Sequence, residues 1–335
     1  MKRALHLIVI LLLAAAAGSA QSKTGTSVGQ FLLIEPSARV AAMGNAGSTA
    51  SGEMQSAYYN PASIGLFAAS GVQFTHSPWI ADITYDYAGA GVVLGDAGNI
   101  YASVTSLNSG EIGVTTVDQP LGTGEQYSVT DLAFALGYGR RISDRFSVGF
   151  QASFLEEMIW HSSMSAFALN VGTLYRISEN GLHIGASISN FGTRAKFDGN
   201  DLRILYDQNP SAAGDNANLP AELFTDDFSL PILFRVGLGM PLVLNQDNTI
   251  SMALDAFHPG DNVESMSVGA EWGYAGTFFV RGGYQNLFME DSEVGLTLGG
   301  GVKVAPDTYR ITFDYGWADH GRLKETHRFT LGISF

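Results

Sequence analysis

The 335-residue chain contains no cysteine, which excludes disulfides and thiolate metal sites. Charge is sparse too, at 15% of residues, and lopsided: 18 Lys and Arg stand against 32 Asp and Glu, a formal charge of -14. Phosphate backbones reward clustered cations, so this acidity argues against a nucleic-acid partner. Long apolar runs are also missing. The longest, Ala4 to Ala17 with His6 within it, falls short of the roughly 18 or more residues that a membrane-spanning helix needs. Enzyme signatures are equally scarce. There is no G-x-S-x-G elbow, no H-E-x-x-H pair and no phosphate-binding loop, and the seven histidines show no ligand spacing. The stretches DGND and DQNPSAAGDN lack an EF-hand pattern. No cofactor or metal is expected, and the chain is expected to bind rather than catalyse.

The start has its own grammar. Lys2 and Arg3 precede the apolar run, and Gly18-Ser19-Ala20 puts small residues at the cleavage positions, which predicts a secretory signal peptide over 1–20, cut after Ala20. The chain is therefore expected to be exported.

What the sequence does have is glycine, 40 of them, with 20 Phe and 13 Tyr, a composition that suits strands better than helices. From residue 70 onward, segments of about ten residues alternate apolar with small or polar side chains, the period of a two-faced strand. Tyr309, Ile311, Phe313, Tyr315 and Trp317 share one face, while Arg310, Thr312, Asp314 and Gly316 share the other. Fourteen such segments are predicted: 70–79, 83–94, 98–108, 128–139, 145–157, 163–176, 182–191, 230–242, 248–258, 263–274, 277–286, 293–304, 308–318 and 325–335. The connections alternate between tight turns (GDAGN, GRRISD, SENG, NQDN, YAG, APD) and mostly longer polar loops, including 109–127 and 192–229. That rhythm predicts an all-β fold, a transmembrane antiparallel β-barrel in an outer membrane, facing lipid along its apolar face. A soluble sandwich or lipocalin-like barrel is the alternative, but its exterior would carry denser charge.

The last strand fits this reading. Phe329, Leu331, Ile333 and the terminal Phe335 fall on one face, like the C-terminal signal that barrel-assembly machinery reads. Before the barrel, residues 21–69 are rich in Ala, Gly and Ser and lack strand alternation. SARVAAMG and PASIGLF look like short helices, with Asn60 as an N-cap before Pro61. The segment is expected to pack in or under the barrel as a hatch.

Here a resemblance becomes specific. FLLIEPSARVAAMGNAG followed by SAYYNPASI resembles the start of the PorV/PorQ family of outer-membrane proteins, itself distantly similar to the FadL transporters. The matching positions are Phe31, Leu32, Ala38, Arg39, Met43, Gly44 and Ala46, then Asn60, Pro61 and Ala62. FTHSPWIADITYDYAG, VTTVDQPLGTGE, ISDRFSVGFQ and ISNFGT are similar to that family as well. The resemblance implies a barrel with an N-terminal hatch and a place in type IX secretion. Such a protein engages secreted proteins that carry a shared C-terminal domain, or tethers a surface partner. The FadL similarity implies an alternative, a channel for hydrophobic small molecules; a purely structural barrel is a third reading.

Charges on the predicted inward face are Asp131, Arg235, Asp255, Glu271, Arg281, Lys303, Arg310, Asp314 and Arg328. They either line a pore or pair up to fix the hatch, for which Arg39 is a candidate partner. The loop from Gly192 to Ser229 is either a partner-binding surface or a solvated insertion. Trp79, Trp160, Trp272, Trp317, Tyr85 and Tyr87 fall near strand ends, where aromatic girdles form.

Overall fold

The computed structural model describes residues 24–178, 181–209, 211, 218–289, 292–306 and 308–335. The signal peptide expected over 1–20 lies outside the described residues. Fourteen antiparallel strands form one closed barrel. They are β1 (Gly71–Pro78), β2 (Thr84–Val93), β3 (Asn99–Asn108), β4 (Val129–Ser143), β5 (Phe146–Ile159), β6 (Ser162–Arg176) and β7 (His183–Gly192). The circuit continues with β8 (Leu233–Val243), β9 (Asn248–Pro259), β10 (Ser265–Tyr274), β11 (Phe278–Leu287), β12 (Leu296–Val304), β13 (Arg310–Asp319) and β14 (Glu325–Ser334). Each strand pairs with its sequence neighbours, and β1 joins β14 in the register Val72↔Ile333 and Phe74↔Leu331 to close the ring. Closure leaves no unpaired edge, the condition for strands in lipid. Among the described residues no helix is long and apolar enough to cross a membrane.

The period of two sets the faces. In β1, Val72 and Phe74 point out while Gln73, Thr75 and Ser77 are buried inside, and β6 repeats the pattern with Phe167, Leu169 and Val171 outside. Phe329, Leu331, Ile333 and Phe335 are likewise exposed on the outer wall. A shallow hollow of about 1120 Å³ on this wall, edged by Phe74, Phe134, Phe154 and Phe167, faces lipid.

Two expectations need correction. GRRISD is mostly strand, since β4 runs to Ser143 and pairs with β5 as far as Ser143↔Phe146. The polar residues mark where the apolar wall stops, and hydrogen bonding continues past that point. Tyr85 and Tyr87 are not girdle residues: at 1% and 2% exposure they point into the lumen, where the Tyr85 hydroxyl donates to the Ile34 carbonyl and Tyr87 pairs with Tyr101 at 2.9 Å. Trp160 and Trp272 do face outward.

The core fills the lumen. Residues 24–69 run through it, from the long-loop end, where the Val28 N-H donates to the Ser229 carbonyl, to the short-turn end, where the Ser70 carbonyl accepts from Phe335. Within this segment lie helices α1 (Ala38–Ala41) and α2 (Ser56–Tyr59), with 3-10 turns at Gln30–Leu33 and Pro61–Leu66.

Candidate functional site

The hatch is built by capping and by close approach to the wall. The Ser37 hydroxyl accepts from the Val40 N-H to start α1, and the Asn60 side chain accepts from the Ala62 N-H, with Pro61 in the first turn. The Asn60 amide also donates to the Ser48 and Thr173 carbonyls at 2.8 and 3.0 Å, tying two hatch segments to β6. Gly172 makes room for this, because a Cβ there would sit 2.0 Å from Asn60 Oδ1. Gly149 gives the same clearance to the Pro61 carbonyl, and the Ala62 carbonyl accepts from Ser147 Oγ at 2.7 Å. Gly44, at φ 67°, turns the chain after α1 and donates its N-H to Thr297 Oγ1. The Ala38 N-H donates to Thr330 Oγ1, and Met43 and Ala46 pack on Ala253. Nearer the long-loop end, Phe31 is buried among Leu155, Met164 and Leu230, with Leu32 against the same cluster.

Charge completes the seal. Arg39 reaches from α1 to Glu271 with two hydrogen bonds of 2.9 Å, a bidentate pair. Glu271 also accepts from Arg281 Nε at 2.6 Å, and Arg281 Nη1 donates to Asp314 at 2.6 Å. The chain is thus cation, anion, cation, anion, and three of its members are almost wholly buried. A second clamp joins Arg328 to Glu35, through the carboxylate at 3.0 Å and the carbonyl at 2.9 Å, with Trp79 stacked 4.8 Å from the guanidinium. Glu35 further accepts from Asn45 and Gln285.

The remaining predicted charges are placed differently. Asp255 accepts from the N-H and hydroxyl of Ser48, both at 2.7 Å. Asp131 stands opposite Glu157 in the β4/β5 register, and Glu157 accepts from the Gly29 N-H. Arg235 is buried under Tyr58. Lys303 and Arg310 are not brought into the seal; they edge a pocket of about 200 Å³ at its short-turn end, beside Arg39 and Glu53. The sequence reading missed Glu35. Its signal was an acid within an apolar hatch, facing a surplus arginine on the last strand.

The long connections build structure of their own. Ile112–Gly113 pairs with Gln126–Tyr127, and Arg203–Tyr206 with Leu219–Glu222, giving two small ribbons. The second is rooted on the barrel by Asp198–Gly199 against Ser162–Ser163, by His161 on Asp201, and by reciprocal Ala195 and Phe228 hydrogen bonds. Val117, Leu121, Phe224 and Phe288 are almost wholly exposed on these connections.

Comparison with known proteins agrees with this geometry. The chain is similar in structure to the Pseudomonas putida toluene transporter TodX (TM-score 0.56, 12% identity, 90% of this chain and 98% of that one). It is also similar to the Ralstonia pickettii toluene transporter TbuX (TM-score 0.55, 14% identity, the same coverage). A third likeness is to a Pseudomonas aeruginosa FadL homologue (TM-score 0.55, 10% identity, again 90% and 98%). At such identities the likeness establishes the fold. No curated protein sequence matches the chain. The family model described as type IX secretion system protein PorV matches residues 17–258, well over half of the chain. The barrel is an outer-membrane protein, and the chain belongs to the PorV family of type IX secretion proteins.

Proposed function

We propose that this barrel works by docking rather than by catalysis or conduction, holding secreted proteins or a surface partner of the type IX pathway on its long connections. The carrying observation is the contrast between a lumen sealed by the Arg39–Glu271–Arg281–Asp314 chain and a long-loop end with ordered ribbons and bare apolar side chains. Docking surfaces need exposed apolar anchors with a polar rim. The loop from 193 to 232 offers them, with Phe224 beside Asp226 and Asp227. Deleting residues 195–225 tests this. The cut ends lie together, because Arg194 donates to the Asp227 carbonyl at 2.6 Å, so the barrel is expected to assemble while capture of secreted proteins from native outer membranes is lost. Unchanged capture would overturn the reading.

The second reading, a channel for hydrophobic solutes, draws support from the fold shared with the toluene transporters. Against it, the pockets beside the hatch measure about 200 and 40 Å³, and both have arginine in their walls. Uptake of a hydrophobic solute by vesicles carrying the purified barrel, absent from empty vesicles, would favour conduction.

A further inference from the structure

Between the hatch and the wall lies a lumen cavity of about 40 Å³, with room for about three waters. Leu32 and Tyr58 close it on the hatch side; Tyr87, Gln151, Ser153 and Arg235 are among its wall residues. Among the described residues no Asp or Glu lines it. Arg235 is its one cation, 2% exposed, and among the described residues it forms no ion pair. Its guanidinium lies over the Tyr58 ring at 5.4 Å, Nη1 donates to Ser189 Oγ at 3.2 Å, and Nε has no partner. The nearby acids do not touch it. Asp255, opposite Gly237 on the next strand, feels the charge of Arg235 and leaves its Oδ1 without a hydrogen-bond partner, but it forms no ion pair with the guanidinium and turns its Oδ2 to Ser48; Glu35 holds Arg328. A guanidinium is never deprotonated in a protein, and a buried charge without a contacting counter-charge is costly. Asp255 acts only from a distance, so an ion from solution in the cavity can complete the neutralisation. The walls suit it, since hydroxyls and amides can donate to an anion.

We propose that the cavity binds one small monovalent anion, a halide or a one-carbon carboxylate, held between Arg235 and the hatch. The volume excludes a fatty acid or an aromatic ring, so this is not a conduction site. Because the cavity is walled by both hatch and barrel, an occupant stabilises the plugged state over any state in which the hatch withdraws. The proposal stands whether or not the barrel captures secreted proteins.

Diffraction from crystals of the full chain grown in bromide should show an anomalous peak beside the Arg235 guanidinium. In detergent, the unfolding midpoint should climb with each tenfold rise in chloride against gluconate at constant ionic strength. Arg235→Gln should abolish both effects; Arg235→Lys, which keeps the charge, should retain a weaker chloride dependence. A cavity without anomalous signal in bromide crystals, or a chloride dependence unchanged in Arg235→Gln, would overturn the proposal. The bromide experiment uses the unaltered chain, so it decides even if neither variant folds.

Discussion

Along β1 to β7 the wall meets the hatch almost wholly with hydroxyls, amides and bare backbone, whereas along β8 to β14 it adds charge to such neutral contacts as those of Thr297 and Thr330. On the first side Thr75, Asn99, Ser147 and Ser187 hydrogen-bond hatch groups, with Glu157 the exception. On the second side Arg235, Asp255, Glu271 and Arg328 each face a hatch partner. Neutral contacts of this kind contribute about 1 kcal/mol each and depend on fit. Buried ion pairs contribute little net stability when intact but penalise rupture heavily. The first half therefore shapes the seat, and the second half makes leaving it expensive.

The sharpest way to break this comparison is Glu271→Ala. It takes from Arg39 its paired carboxylate and leaves Arg281 with Asp314 alone, where the two cations had shared one carboxylate. Loss of one partner from a buried pair costs about 3–5 kcal/mol, so unfolding in detergent should shift by that order and ionic leak through bilayers holding the barrel should rise. A variant as stable and as tight as the parent would show that the charges do not hold the hatch. Arg39→Met should cost less, because Glu271 keeps Arg281.

A smaller effect is expected where the two halves are alike. A methyl at Gly172 would meet Asn60 Oδ1 at 2.0 Å, and one at Gly269 would meet the Met43 carbonyl at 2.1 Å. Gly172→Ala and Gly269→Ala should each destabilise by about 1–3 kcal/mol, the usual cost of overpacking. Measured unfolding free energies that differ strongly between the two would mean that close approach, too, is divided between the halves.

The outer wall was legible in the sequence because lipid imposes one rule at every second position, as Phe329, Leu331 and Ile333 show. The strand count and the alternation of short and long connections followed from it. The lumen was only half legible. Alternation tells that Glu271, Arg281 and Asp314 face inward, but the height at which each meets the hatch depends on strand stagger, which a two-residue period does not encode. Tyr85 and Tyr87 misled for a related reason: an aromatic near a strand end suits a membrane girdle and a lumen packing site equally.

The gentlest probe of the charged half is Glu53, at the short-turn end of the hatch, accepting from Ser37 and from Gln73 of β1. Burial pushes its carboxyl above the ordinary 4.5, Arg39 draws it part of the way back, and the charge of Asp314 adds to the rise. The folded protein thus holds this proton more tightly than the unfolded chain does. The group's contribution to stability is full below the ordinary value and is lost as pH climbs through the raised one. Glu53→Gln keeps an acceptor for Ser37 and removes the titration, so its melting temperature should fall less than the parent's as pH rises from acid to neutral. Identical slopes in the two proteins would mean that Arg39 already neutralises Glu53 in full, and the cation at the head of the Glu271 chain would then serve two carboxylates at once.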